Sequence, residues 1–315
     1  MSAKLSDDMH LLERGWLSSN SLLLTGDARG AVLVDTGYYT HKAQTLALVR
    51  QALADSAATP DQQPTLRLIA NTHLHSDHCG GNAYLAAAFA CPVAIPPGHF
   101  QAVADWDQDV LSFALTGQQC ERFTPSHALL PGTSVEQAGR VWQVLAAPGH
   151  DPESVILFEP EAGLLVSADA LWEHGFGIVF PEIDGTAAFD EVAATLDLIA
   201  GLPVQLVVPG HGPAFSDAAA AVAEARARLS YFQRNPIRHA RYAAKALITF
   251  HLLEVSRQAL PALLAWLAAV PIQQQIWQRF FSAQTLNDWT LELLDDLTRS
   301  GVIGRRGEMV YAQDV

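Results

Sequence analysis

Between positions 73 and 78 the chain places three imidazoles and one carboxylate, His73-Leu74-His75-Ser76-Asp77-His78. Nitrogen and oxygen donors of this kind suit zinc, iron or manganese. A lone histidine is more often structural than a ligand, but this hexapeptide directly follows an apolar, strand-like run, Leu66-Arg67-Leu68-Ile69-Ala70. Chemistry collects at the carboxyl ends of such strands. Gly80-Gly81 comes next and lets backbone approach closely. The segment therefore predicts a metal site.

The elements that must position it follow from periodicity and turn residues. Residues 21–25 and 31–34 are β-rich and flank a Gly/Asp turn, which predicts a hairpin. A helical pattern covers 41–54, and Pro60 and Pro64 then punctuate the chain before the 66–70 strand. Helices are expected over 80–90 and 98–115, with a strand at 92–95 between them. Strands are expected at 140–146, 154–158 and 163–167, an amphipathic helix at 189–200 and a strand at 205–208. Hairpins interleaved with strand–helix alternation predict a layered α/β domain with mixed sheets. After Asp217 the pattern turns almost wholly helical to residue 299, and 301–311 reads as a small two-stranded wing. The expected division is 1–217 for the catalytic domain and 218–315 for a helical C-terminal domain.

His-x-His-x-Asp-His after a strand resembles the signature of the metallo-β-lactamase superfamily. Relatives of that kind also carry a histidine roughly 60–80 residues on, an aspartate after a further strand pair, and a histidine in a Gly-His-Gly-like turn. His150 in Pro148-Gly149-His150, Asp169 in Ser167-Ala168-Asp169, and His211 in Pro209-Gly210-His211-Gly212 meet these in order. The resemblance covers about residues 15–215. It implies a four-layer αββα sandwich, here with a mainly helical, winged-helix-like C-terminal extension similar to those of glyoxalase II-like hydrolases.

The resemblance further implies two divalent metal ions, zinc first, with iron or manganese compatible. His73, His75 and His150 would hold one, Asp77, His78 and His211 the other, and Asp169 would bridge them. Such a pair lowers the pKa of a shared water and supplies a bridging hydroxide as nucleophile. Asp77 is the residue expected to orient that hydroxide and handle its proton. Asp35, in Val34-Asp35-Thr36-Gly37, stands where relatives carry an aspartate that fixes a ligand histidine's tautomer, although a turn aspartate bonded to backbone fits equally. Cys79 is expected to be a small buried residue and not a ligand. Tyr38 and Tyr39 could border the site mouth. Trp172 and Phe176 either shape an acyl pocket or fill core. Arg234, Arg238, His239 and Arg241, at helical spacing, either meet an anionic substrate group or line a solvated face.

Composition narrows the function. Lys and Arg number 19 against 33 Asp and Glu, a formal charge of −14. Nucleic-acid binding normally leaves a basic footprint, so a polyanionic partner is disfavoured. Three cysteines without a CxxC spacing predict a reducing compartment. The polar, acidic start and the lack of a long apolar run predict a cytoplasmic protein with no membrane span. The expected activity is hydrolysis of a small ester-like bond, a thioester or lactone. The alternatives are a mononuclear iron sulfur dioxygenase, a small phosphoesterase or nuclease, and a non-enzymatic binding protein acting through its C-terminal domain. The apolar tail also offers a homodimer surface.

Overall fold

The computed structural model describes residues 5–57, 64–108 and 110–313; Pro60 and residue 109 of the expected 98–115 helix lie outside them. The first sheet begins with the strands β1 (Met9–Leu12), β2 (Ser21–Leu24) and β3 (Ala31–Val34), paired antiparallel. After helix α1 (Lys42–Asp55), β4 (Leu66–Ala70) lies parallel to β3. The one-turn helix α2 (Ser76–Cys79) and α3 (Asn82–Phe89) lead into β5 (Val93–Ile95). Beyond α4 (Phe100–Asp105) and α5 (Ser112–Thr116), the two-residue β6 (His127–Ala128) completes a six-stranded sheet. The single helix expected over 98–115 is thus two short ones. Trp106 adopts a left-handed φ of 60°, which ends α4 as a helix cannot continue through it.

The second sheet comprises β7 (Ser134–Gln137), β8 (Arg140–Ala146), β9 (Val155–Glu159), β10 (Leu164–Ala168) and, after helices α6 (Phe180–Asp184) and α7 (Phe189–Gly201), β11 (Leu206–Pro209). Side-chain alternation sets the layering, because residues two apart in a strand share a face. Leu22, Leu24, Val32 and Val34 turn inward against Val155, Leu157, Leu164 and Val166 of the opposite sheet. Leu23, Leu33 and Ile69 turn outward under α1 and α3, and Ile156, Phe158, Leu165 and Val207 outward under α7. Helix, sheet, sheet, helix is the αββα order expected.

The remainder comprises α8 (Ala218–Arg234), α9 (Pro236–Val255), β12 (Arg257–Ala259), α10 (Leu260–Ala269), α11 (Pro271–Ile276), a π-helical turn at Trp277–Phe281, α12 (Leu286–Arg299), β13 (Ile303–Arg306) and β14 (Met309–Ala312). Proline opens α9, α10 and α11 at their first turns, where its missing N–H costs no helical bond. The expected two-stranded wing is a three-stranded sheet, since β12 pairs with β14 at Arg257↔Tyr311. Helix α8 packs its Ala221, Ala225 and Leu229 into the α7 side of the sandwich, whereas α9 to α12 enclose a core of their own that Ile178 and Ile183 join. No helix among the described residues is long and apolar enough to cross a membrane.

Candidate metal centre

Every sequence-predicted ligand lies at or just beyond a strand end. β4 delivers His73, α2 begins directly after His75 and carries Asp77 and His78, β10 ends at Ala168 before Asp169, and β11 ends two residues before His211. All seven are buried and converge in two groups. His73, His75 and His150 form one; Asp77, His78, Asp169 and His211 form the other, and within each the donor atoms lie within 4.8 Å of one another. Asp169 faces both: its Oδ2 is 3.4 Å from His150 Nε2, and its Oδ1 is 3.4 Å from His78 Nε2 and 3.8 Å from His211 Nε2.

Hydrogen bonds behind the cluster fix which nitrogen faces inward. His150 Nδ1 donates to Ile178 O at 2.5 Å, so in the neutral ring Nε2 carries the lone pair. His78 Nδ1 donates to Asp35 Oδ2 at 2.8 Å, leaving Nε2 inside. Asp35 also accepts from Thr72 N at 2.9 Å and Thr72 Oγ1 at 2.8 Å, so it holds His78 and the backbone together. The turn carrying His211 is held from far away in sequence, as Asn20 Nδ2 donates to Pro209 O at 3.0 Å and Gly212 O at 2.7 Å. Gly210 is required by close approach, because a Cβ there would collide with Asp169 Oδ1 and come within 3.0 Å of His78 Cε1.

The donor set fits metal ions on three counts. His73 Nε2 and His78 Nε2 are buried without a hydrogen-bond partner, which is costly unless something else satisfies them. Burial, followed by the neighbouring imidazoles, holds His73 well below the usual histidine range, and burial and His150 bring His75 to about 4, so both present neutral rings. Burial works against ionisation of Asp169, yet His78 and His211 outweigh it and keep the acid ionised, well below the usual range. Burial likewise opposes charge on His78, but Asp169, Asp35 and Asp77 outweigh it and raise that imidazole well above its ordinary value. A surplus of negative charge is thus drawing a proton to the place a divalent cation would occupy.

A cavity of about 220 Å³ opens over the cluster. Trp172 lines it and donates from Nε1 to Asp169 Oδ1 at 3.1 Å, while Phe176 is buried in the core against Phe232. Tyr38 is fully buried, its hydroxyl accepting from Gln119 N, and Tyr39 lies under the Lys42 ammonium; neither lines the cavity. Cys79 is buried with its Sγ 3.8 Å from that of Cys120. Arg234, Arg238, His239 and Arg241 do not converge: His239 is buried and accepts from Val179 N, Arg241 is paired with Asp296 and Glu292, and Arg234 and Arg238 are exposed. Sequence reasoning missed Asn20, Trp16, whose ring stacks on His211 at 5.1 Å, and the α9 residues that wall the cavity. Only α9 left a trace, the apolar spacing of Tyr242, Ala246, Phe250 and Leu253.

Two facing sheets between helical layers, with paired ligand groups at one end, define a metallo-hydrolase type of scaffold. Residues 14–211 match the profile described as the metallo-beta-lactamase superfamily, and the chain belongs to it. It is 35% identical over 135 residues to a hydroxyacylglutathione hydrolase of Synechococcus sp. (strain JA-3-3Ab), covering 43% of this chain and 44% of that protein. It is 33% identical over 153 residues to a hydroxyacylglutathione hydrolase of Rhodobacter capsulatus, covering 48% and 50%. The matched stretches span about half the length of these relatives or less. The fold is shared with a metallo-beta-lactamase family protein from Thermus thermophilus, at a TM-score of 0.58 and 22% identity over 98% of this chain and all of that one.

Proposed function

We propose that this protein is a binuclear metal-dependent hydrolase of a small ester-like substrate, a thioester or lactone. The observation that carries the reading is Asp169, whose two oxygens face the two separate ligand groups. In this reading His73, His75 and His150 would hold one ion and Asp77, His78 and His211 the other, with Asp169 shared between the two groups. Two divalent ions, zinc first, would acidify a shared water and polarise the acyl oxygen. In this reading Asp77, whose Oδ2 lies 3.0 Å from His211 Nε2 and 3.8 Å from His78 Nε2, orients the attacking water and accepts its proton. Trp172 holds Asp169 by its indole N–H. For a thioester, the water oxygen bonds to the acyl carbon, the C–S bond breaks, and the proton ends on the departing sulfur.

We also propose the division at residue 217, with 1–217 catalytic and 218–315 a helical unit that α8 anchors to the sandwich; the separate core of α9 to α12 supports it. A cytosolic setting is part of the proposal, supported by three free thiols. The test is elemental analysis of protein purified without added metal, followed by hydrolysis of thioesters, lactones and small phosphoesters. Two transition-metal ions per chain, with hydrolysis lost in Asp77→Ala and His78→Ala, are expected. A single iron with oxygen uptake on a persulfide, or full activity in both variants, would overturn the proposal.

A further inference from the structure

We infer that the cavity over the ligand cluster binds a linear apolar acyl chain, and that α9 of the C-terminal region is its specificity wall. The inference rests on the hydrolase reading above and names its substrate class. The floor is formed by His75, Asp77, His150, Asp169 and His211, so whatever fills the cavity has one end at the reacting centre. The walls include Trp172, Ile178, Phe180, Tyr242, Phe250 and Leu253; the polar lining residues Thr116, Gln118 and Thr249 are bonded to Ser112 O, Ser76 Oγ and Lys245 O.

Helix α9 presents two apolar faces. Ala240, Ala243, Ala244, Leu247, Ile248 and Leu252 are buried in the C-terminal core. On the adjacent face Tyr242, Ala246, Phe250 and Leu253 are only partly buried and line the cavity. Helical period puts those four in one stripe. An apolar stripe of that kind, continuous with a catalytic floor, fits an apolar ligand.

Charge points the same way. No lysine or arginine is among the described residues lining the cavity. Of the cations of α9 and α8, Arg241 is paired with Asp296 and Glu292, Lys245 lies by Asp296, and Arg228 donates to His174 O and packs on the Tyr242 ring without itself lining the cavity. A glutathionyl group brings two carboxylates, for which this wall has no partner, and burying an unpaired charge is costly. At roughly 30 Å³ per water-sized group, about 220 Å³ has room for a chain of several carbons above the cluster.

The test uses the full chain with both metal ions and a straight-chain series of N-acetylcysteamine thioesters from acetyl to decanoyl, alongside a hydroxyacylglutathione. The expected result is kcat/KM rising about fourfold per methylene and levelling near octanoyl. Ala246→Phe, which fills the cavity from α9, should lower the octanoyl-to-acetyl ratio about tenfold or more. A flat series, or a preference for hydroxyacylglutathione over octanoyl, overturns the inference while leaving the hydrolase reading in place. If no ester-like substrate is hydrolysed, the hydrolase reading falls, and calorimetric titration with the S-octyl thioether of N-acetylcysteamine decides the cavity alone. Binding with a negative heat-capacity change that Ala246→Phe abolishes supports the apolar site, and absence of binding overturns it.

Discussion

Asp35→Asn preserves the shape of a side chain that is 3% exposed and changes only what its outer atoms can do. Asparagine also tolerates the left-handed φ of 57° at this position, so the backbone has no reason to move. Asp35 Oδ1 accepts from Thr72 N, and Oδ2 accepts from His78 Nδ1 and Thr72 Oγ1. The amide oxygen must stay with the backbone N–H, which has no alternative orientation, so the new NH₂ faces His78 Nδ1. To accept that donor, His78 must carry its proton on Nε2, the nitrogen that faces Asp169 and Asp77. A protonated Nε2 cannot bind a metal ion. Loss of such a supporting carboxylate costs about 10–100-fold in metal affinity, or about 1.4–2.8 kcal/mol at 1.4 kcal/mol per decade. Competition with a chromophoric chelator, with circular dichroism as the control for folding, should find one ion held as in wild type and the second weakened by that factor. Wild-type affinity for both ions in Asp35→Asn would refute the tautomer argument.

Gly210→Ala should cut metal stoichiometry and activity together, since the added methyl meets Asp169 Oδ1 with no room to give, and unchanged metal content by elemental analysis would show that the turn adapts. Trp172→Phe keeps the ring but removes the donor to Asp169; a charged hydrogen bond worth about 1.5–3 kcal/mol predicts kcat lower by roughly tenfold or more, read as kcat against KM, and an unchanged kcat would remove Trp172 from the positioning role. Burial, then Arg228, lowers His239 to about 4 from the ordinary histidine value of 6.5, so between those values the unfolded chain binds more protons than the folded one. Stability from this residue is complete above pH 6.5 and falls toward pH 4, by about 3 kcal/mol in all. Chemical denaturation across that window should show a shallower pH dependence in His239→Gln than in wild type, and identical slopes would refute the assignment.

The candidate ligands were legible because each sits in a short motif at or just beyond a strand end, so local sequence carries both the donor and its placement. The layering was legible for a similar reason, since Leu22 to Leu24 and Val32 to Val34 are buried on both faces and read as continuous apolar runs. β6 and β7 escaped because exposed or polar residues such as His127, Ser134 and Glu136 are held there by ladder bonds to a neighbouring strand, which periodicity does not report. Asn20 reaches Pro209 across 189 positions, a relation no local pattern encodes. Helix α9 shows the deeper limit. Its charged residues and its apolar residues repeat with the same helical period, so spacing says that the helix has distinct faces but not which of them meets the cavity. Packing decides: Arg241 turns to Asp296 on α12, which leaves the next residue, Tyr242, and its partners at 246, 250 and 253 over the ligand cluster. Of the residues most suggestive of anion binding in the sequence, His239 and Arg241 therefore tie the helix down, and the residues lining the cavity are the ones that looked like ordinary core.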